Sequence, residues 1–513
     1  MPRYRTTKTQ LSGYKFSMQR REDAFVRRDT RLLDSPFSSH SMATGLGILA
    51  MCLIALSGFV ISIFSPQGKL GDSSYVVTKS GSQYVKYNNA WHPVTNSVSA
   101  SLITGSPAEP KSVDDKSLIN EEKGMFMGIA SAPSQIIVGE ERKPQGSVCS
   151  AEIGKDPLDP ESEFRVDTIY AAGDSLDMKS FSESDVALIT VADKSKYWLI
   201  FNGKRAEISM DDDTIRGALG IDSEAKKNAI VVSPKFLNAI PSVPRLTPPA
   251  LGSGQSGVQG YAIGTVITQE MPDVPSNFYV VTEGGIQQIN EALGRILVTA
   301  GSDMVRNPSV ATINNAPKTD DINLGNFPSK MPSLRSEKTV CAQWSRPEAK
   351  GKGKVELFAG DILKLKDTDK TREDLTPTIT GGDGPSIDRY YPGKESTGWF
   401  YQTTDLNDES VTESAIFYVS PEGVRYPIGG NEQGDVNATI QALGLAEKTP
   451  VYMPWQYLQL LPEGPTLSQT NALTLWESIP TPKEQLVPKK DGSVDTHQTF
   501  TQPTATDEEE GSF

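Results

Sequence analysis

Cysteine and histidine are scarce in this chain, three of each among 513 residues. No C-x-x-C, H-E-x-x-H or His–carboxylate cluster occurs, which argues against a zinc site of ordinary type. A phosphate-cradling loop is missing as well. Lys69, Lys155, Lys204, Lys352, Lys354 and Lys394 each follow a glycine, but none precedes Ser or Thr. No metal or cofactor is expected. Positive charge is lacking over most of the length: residues 1–40 sum to +5 against −14 for the whole chain, which leaves −19 for residues 41–513. An acidic body of that size is a poor partner for nucleic acid or for anionic lipid headgroups.

Catalytic motifs are present only in outline. "GSGQSG" at 252–257 satisfies G-x-G-x-x-G, yet "PRLTPPAL" precedes it rather than the strand a dinucleotide site needs. "GDSL" at 173–176 resembles a lipase nucleophile motif, but that nucleophile needs a histidine base in a D-x-x-H context, and His497 has Asp495 only two residues before it. Asp211, Asp212 and Asp213 read as first-turn carboxylates complementing a helix dipole rather than as a calcium site. The aromatic pairs Tyr197/Trp198 and Tyr87/Trp91 read as packing, with stacking on sugar rings as the alternative. No catalytic residue is expected.

Long apolar runs are absent but for one, residues 42–64, which contain no charge. At ~1.5 Å per residue they span about 35 Å, enough for a ~30 Å hydrocarbon core. A cleaved signal peptide, with an apolar region of about 7–15 residues, is the rival reading. Arg21, Arg27, Arg28 and Arg31 lie just before the run and only Lys69 and Lys79 just after it. Basic flanks resist translocation, so the N-terminus is expected in the cytosol and the large acidic part outside, giving a single-pass protein with an exported body. Cys149 and Cys341 then face an oxidising compartment and are expected to form a disulfide; two free thiols or pairing between chains are the alternatives.

A hairpin–helix pattern recurs four times. "YWLIFNGKRAEIS" (197–209), "FYVVTEGGIQQIN" (278–290) and "IFYVSPEGVRYPI" (416–428) match, and "SYVVTKSGSQYVKY" (74–87) reads as a first copy. A helix should follow each; before "TIRGALG", Ser209 and Asp212 suggest a capping box. Two copies also share a tail: Pro241, Pro244 and Leu246 in "AIPSVPRLT" correspond to Pro462, Pro465 and Leu467 in "LLPEGPTLS", with Pro107 and Pro110 as a remnant in the first copy. The spacing is irregular, so no solenoid is expected. Residues 121–196 and 331–411 are not repeat-like, hold one cysteine each, and contain strand-type runs such as "VALITVAD" and "WFYQTT".

The fold expected is a single transmembrane helix plus an α+β ectodomain, with four hairpin–helix repeats around a β-rich central domain. Its parts are a cytosolic basic segment with a docking helix (1–41), the membrane helix (42–64), repeat 1 (65–120), a first central half (121–196), repeat 2 (197–250), repeat 3 (258–330), a second central half (331–411), repeat 4 (412–479) and a disordered acidic tail (480–513). In the basic segment Leu11, Tyr14, Met18, Phe25 and Leu32 fall on one helical stripe, and Asp23 and Arg27 are four apart. Protein docking through Met18, Phe25, Arg27, Arg28, Asp29, Arg31 and Leu32 is expected, ahead of a membrane-surface helix or a nucleic-acid patch, since the charges are of mixed sign.

"VRRDTRLLDSP", one apolar span, "SPQGKLGDSS", the four hairpins and the closing "PWQYLQLLPEGPTLS" together resemble the EccB family, a membrane component of type VII (ESX) secretion machines, from about residue 5 to 480. The resemblance implies a structural subunit of an inner-membrane secretion complex, crossing the lipid bilayer once, whose cytosolic segment packs among the EccC ATPase, EccD and EccE and whose periplasmic part assembles with its own copies, in hexameric machines that also engage a mycosin protease. It implies a Cys149–Cys341 disulfide, and repeats akin to a phage-lysin fold that contacts peptidoglycan. A membrane-anchored ATP hydrolase and a cell-wall-binding module are the competing functions.

Overall fold

In the computed structural model the described residues are 7–28, 37–64, 70–140, 143–153, 165–256, 258, 260–271, 274–346, 352–366, 375–377, 387–406, 415–476, 487–488 and 494–495. They fall into two units, Met1–Gly71 with Ser112–Ile119, and Asp72–Lys111 with Asn120–Phe513.

The first unit holds helix α1 (Lys8–Arg27) and helix α2 (Phe37–Phe64). A capping box opens α1: the Thr7 hydroxyl accepts from the Gln10 N–H and the Gln10 side chain accepts from the Thr7 N–H. Arg28 closes it in the left-handed region at φ 57°. The side chains described in α2 are those of residues 42–57; Met42, Leu46, Ile48, Leu49, Met51, Leu53, Ile54 and Leu56 are all exposed. Among the residues whose side chains are described, which in α2 are 16, no helical stretch is long and apolar enough to cross a membrane.

A seven-stranded sheet organises the second unit. Its order is Thr376–Pro377, Arg389–Tyr391, Arg165–Ala172, Gln145–Ile153, Thr339–Ser345, Lys354–Gly360, Lys179–Ser180. Strands from either side of residues 185–335 therefore share one ladder. Gln145–Ile153 runs antiparallel to Thr339–Ser345 with Cys149 opposite Cys341, and these two cysteines form a disulfide across 192 residues, their Cα atoms 4.0 Å apart. Alternate residues point to opposite faces. Cys149, Ile169, Cys341, Leu365 and Tyr391 fill the core on one face; Val148, Tyr170, Ala342 and Trp344 belong to the larger core on the other.

Four small modules carry the remaining sheets. Each has three antiparallel strands and then a helix: Tyr75–Thr78, Gln83–Tyr87, Ala90–Val94 and helix Ser97–Thr104; Asp185–Thr190, Tyr197–Phe201, Lys204–Ile208 and helix Asp213–Leu219; Val266–Met271, Val274–Val281, Ile286–Ile289 and helix Glu291–Thr299; Trp399–Thr404, Ile416–Val419, Arg425–Pro427 and helix Val436–Ala442. In the second, third and fourth modules a strand after the helix returns parallel to the first strand: Ile230–Val231, Met304–Arg306 and Val451–Pro454.

Several expectations shift. The strands within "VALITVAD" and "WFYQTT" pair in the second and fourth modules rather than in the central sheet. Asp185–Thr190 is buried at every position, so no alternation in the sequence marks the sheet it joins. In the first module the hairpin matching Tyr197–Ile208 is Gln83–Val94, one strand later than "SYVVTKSGSQYVKY" suggests. Its turn, Asn88–Asn89 (φ 46° and 67°), and Asn202–Gly203 (φ 47° and 71°) both have the two positive φ angles of a type I′ turn. Gly203 is doubly constrained, because a Cβ there would lie 2.0 Å from the Val355 carbonyl oxygen of the central sheet. The helix after it begins one turn past Ser209, and Asp212 alone caps it, accepting from the N–H groups of Thr214 and Ile215. Of the acidic tail only residues 487–488 and 494–495 are described.

The modules pack in pairs. Helix Ser97–Thr104 lies against helix Val436–Ala442, and helix Asp213–Leu219 against helix Glu291–Thr299. Val98, Leu102, Tyr418, Leu443 and Leu467 share the core of the 1·4 pair; Leu199, Ile215, Leu293, Ile296 and Ile322 share that of the 2·3 pair. Modules 2 and 4 also send Ile189, Ile200, Tyr401 and Phe417 into the core beneath the central sheet.

Candidate functional site

The proline tails are the most regular feature of the modules. In module 2 the Arg205 N–H donates to the Pro241 carbonyl at 2.9 Å, and in module 4 the Arg425 N–H donates to the Pro462 carbonyl at 2.9 Å. Their guanidinium Nε atoms donate to the preceding carbonyls, of Ile240 and Leu461, each at 3.1 Å. Module 3 does the same with Ile286 and Pro317 at 2.8 Å, and module 1 with Trp91 and Glu122 at 2.8 Å. Five residues past the acceptor, each strap buries an apolar side chain: Met127, Leu246, Ile322 and Leu467. Sequence pattern finds this strap only where prolines mark it. Pro107 and Pro110 are not its remnant in module 1; Glu122–Met127 holds that place. The bonds use backbone groups, so the side chains at Trp91, Arg205, Ile286 and Arg425 are free to differ.

Tyr457, fully buried in the strap region of module 4, ties three parts together. Its hydroxyl donates towards the carbonyls of Ala239 in module 2 and Ala342 in the central sheet, each at 3.2 Å. Burial raises its pKa well above the ordinary tyrosine value, with the nearby Tyr170 hydroxyl adding to the effect. This polar bridge and the disulfide lie in the same sheet, on its two faces.

The residues expected to dock partners divide. Leu11, Tyr14, Met18 and Phe25 are exposed on α1, Phe25 to 89%, and α1 ends at Arg28. Asp29, Arg31, Leu32 and the side chain of Arg27 lie outside the described residues, so the Asp23–Arg27 pair does too.

The catalytic outlines dissolve into structure. Ser175 of "GDSL" is buried and its hydroxyl donates to the Ala172 carbonyl, while Asp174 pairs with Lys366 at 2.7 Å. Asp212 is a helix cap and Asp213 pairs with Arg216. Trp91 is 1% exposed and Tyr197 is buried, as packing requires. His92 Nδ1 bonds the Met125 carbonyl at 2.8 Å. Among the described residues no group of three or more His, Cys, Asp or Glu is placed to hold a metal.

Arg335, on strand Ser333–Arg335 beside Asp185–Thr190, reaches Asp185 at 3.5 Å and pairs closely with Glu337. Burial alone would raise both acids, but hydrogen bonds from the Ser182 N–H and hydroxyl, with the Arg335 charge, hold Asp185 below the usual carboxylate range. Bonds from Arg335 and from the backbone lower Glu337 likewise.

A family model described as "Type VII secretion system ESX-1, transport TM domain B" matches residues 3–481. The "ESX-3 secretion system ATPase EccB3" of Mycobacterium tuberculosis is 28% identical over 498 residues, 92% of this chain and 90% of that protein. The "ESX-1 secretion system ATPase EccB1" of the same organism is 28% identical over 495 residues, 94% of this chain and 98% of that protein. A chain of an intact ESX-5 inner membrane complex shares the fold at TM-score 0.67 and 24% identity, over 95% of this chain and 99% of that one. A chain of the EccB3 dimer from the ESX-3 core complex does so at TM-score 0.67 and 24% identity, over 78% and 100%.

Proposed function

We propose, since the chain belongs to the EccB family of type VII (ESX) secretion, that it is a structural core subunit of an ESX inner membrane complex. The observation that carries this is a family match running through nearly the whole chain, residues 3–481, rather than over one module. The internal design agrees with a scaffold: helix caps, backbone straps and a disulfide tie the modules and the central sheet together.

In this reading α2 is the membrane anchor. The helix runs 28 residues from Phe37 to Phe64, about 42 Å at ~1.5 Å per residue. Its described large apolar side chains are exposed on every face, as expected of a helix whose solvent is lipid. The basic residues before it favour a cytosolic N-terminus, and the acidic modules then stand on the periplasmic side. The exposed stripe of α1 docks cytosolic partners, for which EccC, EccD and EccE are the candidates. The modules meet other copies of the chain and a mycosin protease. We read the four modules as copies of one unit and the seven-stranded sheet as the central domain; their common strand order and shared strap support it. Cell-wall binding and ATP hydrolysis are the functions this reading competes with.

Affinity isolation through this chain from detergent-solubilised membranes tests the proposal. Co-isolation of the other ESX membrane subunits in fixed ratio is expected, with Phe25→Asp lowering their recovery while the exported part stays folded. Recovery of the chain alone would overturn it.

A further inference from the structure

The two module pairs share one geometry but differ at one place. In the 1·4 pair, the chain leaving module 4 lays strand Leu475–Trp476 antiparallel along the strap of module 1, Leu475 opposite Met127 and Trp476 opposite Phe126. The Gly128 N–H points to the Thr474 carbonyl at 3.4 Å, and the Trp476 indole N–H donates to the Gly128 carbonyl at 2.8 Å. Counted from the strap acceptors Glu122 and Pro317, Met127 corresponds to Ile322 and Gly128 to Asn323. Counted from Leu246 and Leu467, the residues corresponding to Leu475 and Trp476 are Gly254 and Gln255. Those two do not fill the equivalent place: Gln255 bridges to Ala262 instead.

What remains beside the module 3 strap is an open cleft of about 690 Å³ lined by Leu246, Ala250, Glu283, Asp321, Asn323 and Phe327. The inner side of this strap is closed, because the Gln287 side chain takes both the N–H and the carbonyl of Ile322, at 2.8 and 2.7 Å. The outer side is not. Asn323 is extended at φ −74°, ψ 97° and exposed, and its N–H has no partner among the described residues, whereas Gly128 faces Thr474. An unpartnered backbone N–H beside a cleft whose walls mix apolar side chains (Leu246, Ala250, Phe327) with polar ones is a place where an extended peptide can be taken up as an added strand.

We propose that the cleft between modules 2 and 3 binds an extended peptide segment of a partner protein, one presenting an aliphatic–aromatic pair in the register that Leu475–Trp476 occupies in the 1·4 pair. The internal copy specifies the ligand chemistry: a main-chain carbonyl to accept from the Asn323 N–H, as Thr474 faces Gly128, an aliphatic side chain over Ile322, and a flat aromatic with an N–H donor against the strap, as Trp476 has. The assignment concerns the exported fold alone and goes beyond the place of the chain in a complex.

The test uses the full chain in detergent and a fluorescent peptide with the sequence of residues 471–479, Asn-Ala-Leu-Thr-Leu-Trp-Glu-Ser-Ile. Saturable binding by anisotropy is expected, weakened about tenfold, or about 1.4 kcal/mol, when the tryptophan of the peptide is replaced by alanine. Ala250→Trp, at an exposed wall position, should fill the cleft and weaken binding at least as much with the melting temperature unchanged. A photo-cross-linker at Asp321 should capture the peptide. No saturable binding, binding indifferent to Ala250→Trp, or capture only by a cross-linker beside Met127 would each overturn the proposal; the last would mean that the peptide merely displaces its own copy.

Discussion

The 1·4 and 2·3 pairs are built alike and finished differently. Both pack helix on helix, both bury an apolar residue five positions past a strap acceptor, and both turn their hairpins through paired positive φ angles or glycine. Yet the residue that anchors the strap is Trp91, Arg205, Ile286 or Arg425. What is common is the backbone bond from that residue to the strap acceptor, which many side chains permit. What differs is the chain that follows: Leu475–Trp476 plugs one pair, while Gly254–Gln255 leaves the other open and an ion cluster at Arg335 closes its flank. Geometry in this molecule is held by the main chain, and differences between the pairs are written in side chains.

The largest expected effect falls on the central sheet against which both pairs rest. Replacing Cys149 and Cys341 together by alanine removes the link between the two halves of the central sheet and should cost about 2–5 kcal/mol in urea unfolding. Hydrogen exchange should rise first in Gln145–Ile153 and Thr339–Ser345, with helices Ser97–Thr104 and Glu291–Thr299 slower to follow. Uniform loosening of all four modules would contradict the view of two separate paired cores.

A smaller change separates modules 2 and 4. Tyr457→Phe leaves the buried carbonyls of Ala239 and Ala342 without that donor and should cost about 1–3 kcal/mol. In module 2 the residue at the same place, counted back from Pro241 and Pro462, is Phe236, which is already without a hydroxyl. Phe236→Leu should cost about as much through packing alone. A Tyr457→Phe variant as stable as the parent would remove the bridge from the account.

The smallest effect depends on pH and touches the 2·3 flank only. Asp185 and Glu337 have folded pKa values below their unfolded ones, so their stabilisation is present above the unfolded values of about 4 and is lost as pH falls through the folded values. Arg335→Ala should cost about 1 kcal/mol at pH 7, and the gap between variant and parent should close towards pH 3 in thermal melts. A gap that is independent of pH would assign the loss to packing against Phe181.

Much of this was legible in the residues. Asn202–Gly203 announces its turn, the matching proline tails announce modules 2 and 4, and one cysteine in each non-repeat segment announces the joined central sheet. Which sheet the first strands of modules 2 and 4 join was not legible: Asp185–Thr190 and Trp399–Thr404 are buried on both faces or nearly so, and such a run reads the same in any sheet. The straps of modules 1 and 3 lack the Pro-x-x-Pro spacing, and backbone bonds leave no mark on side-chain identity. Asp212 rather than Ser209 caps its helix because the chain turns helical about one turn later than the motif implies. The docking stripe was read through Leu32; α1 carries it as far as Phe25, and Leu32 lies outside the described residues.

The account rests on α2 holding the modules on the far side of the membrane. Protease added to intact spheroplasts expressing the chain with an N-terminal tag tests this directly. Digestion of the modules to a short, tagged, membrane-bound remnant is the predicted result; modules protected until the membrane is lysed would contradict it.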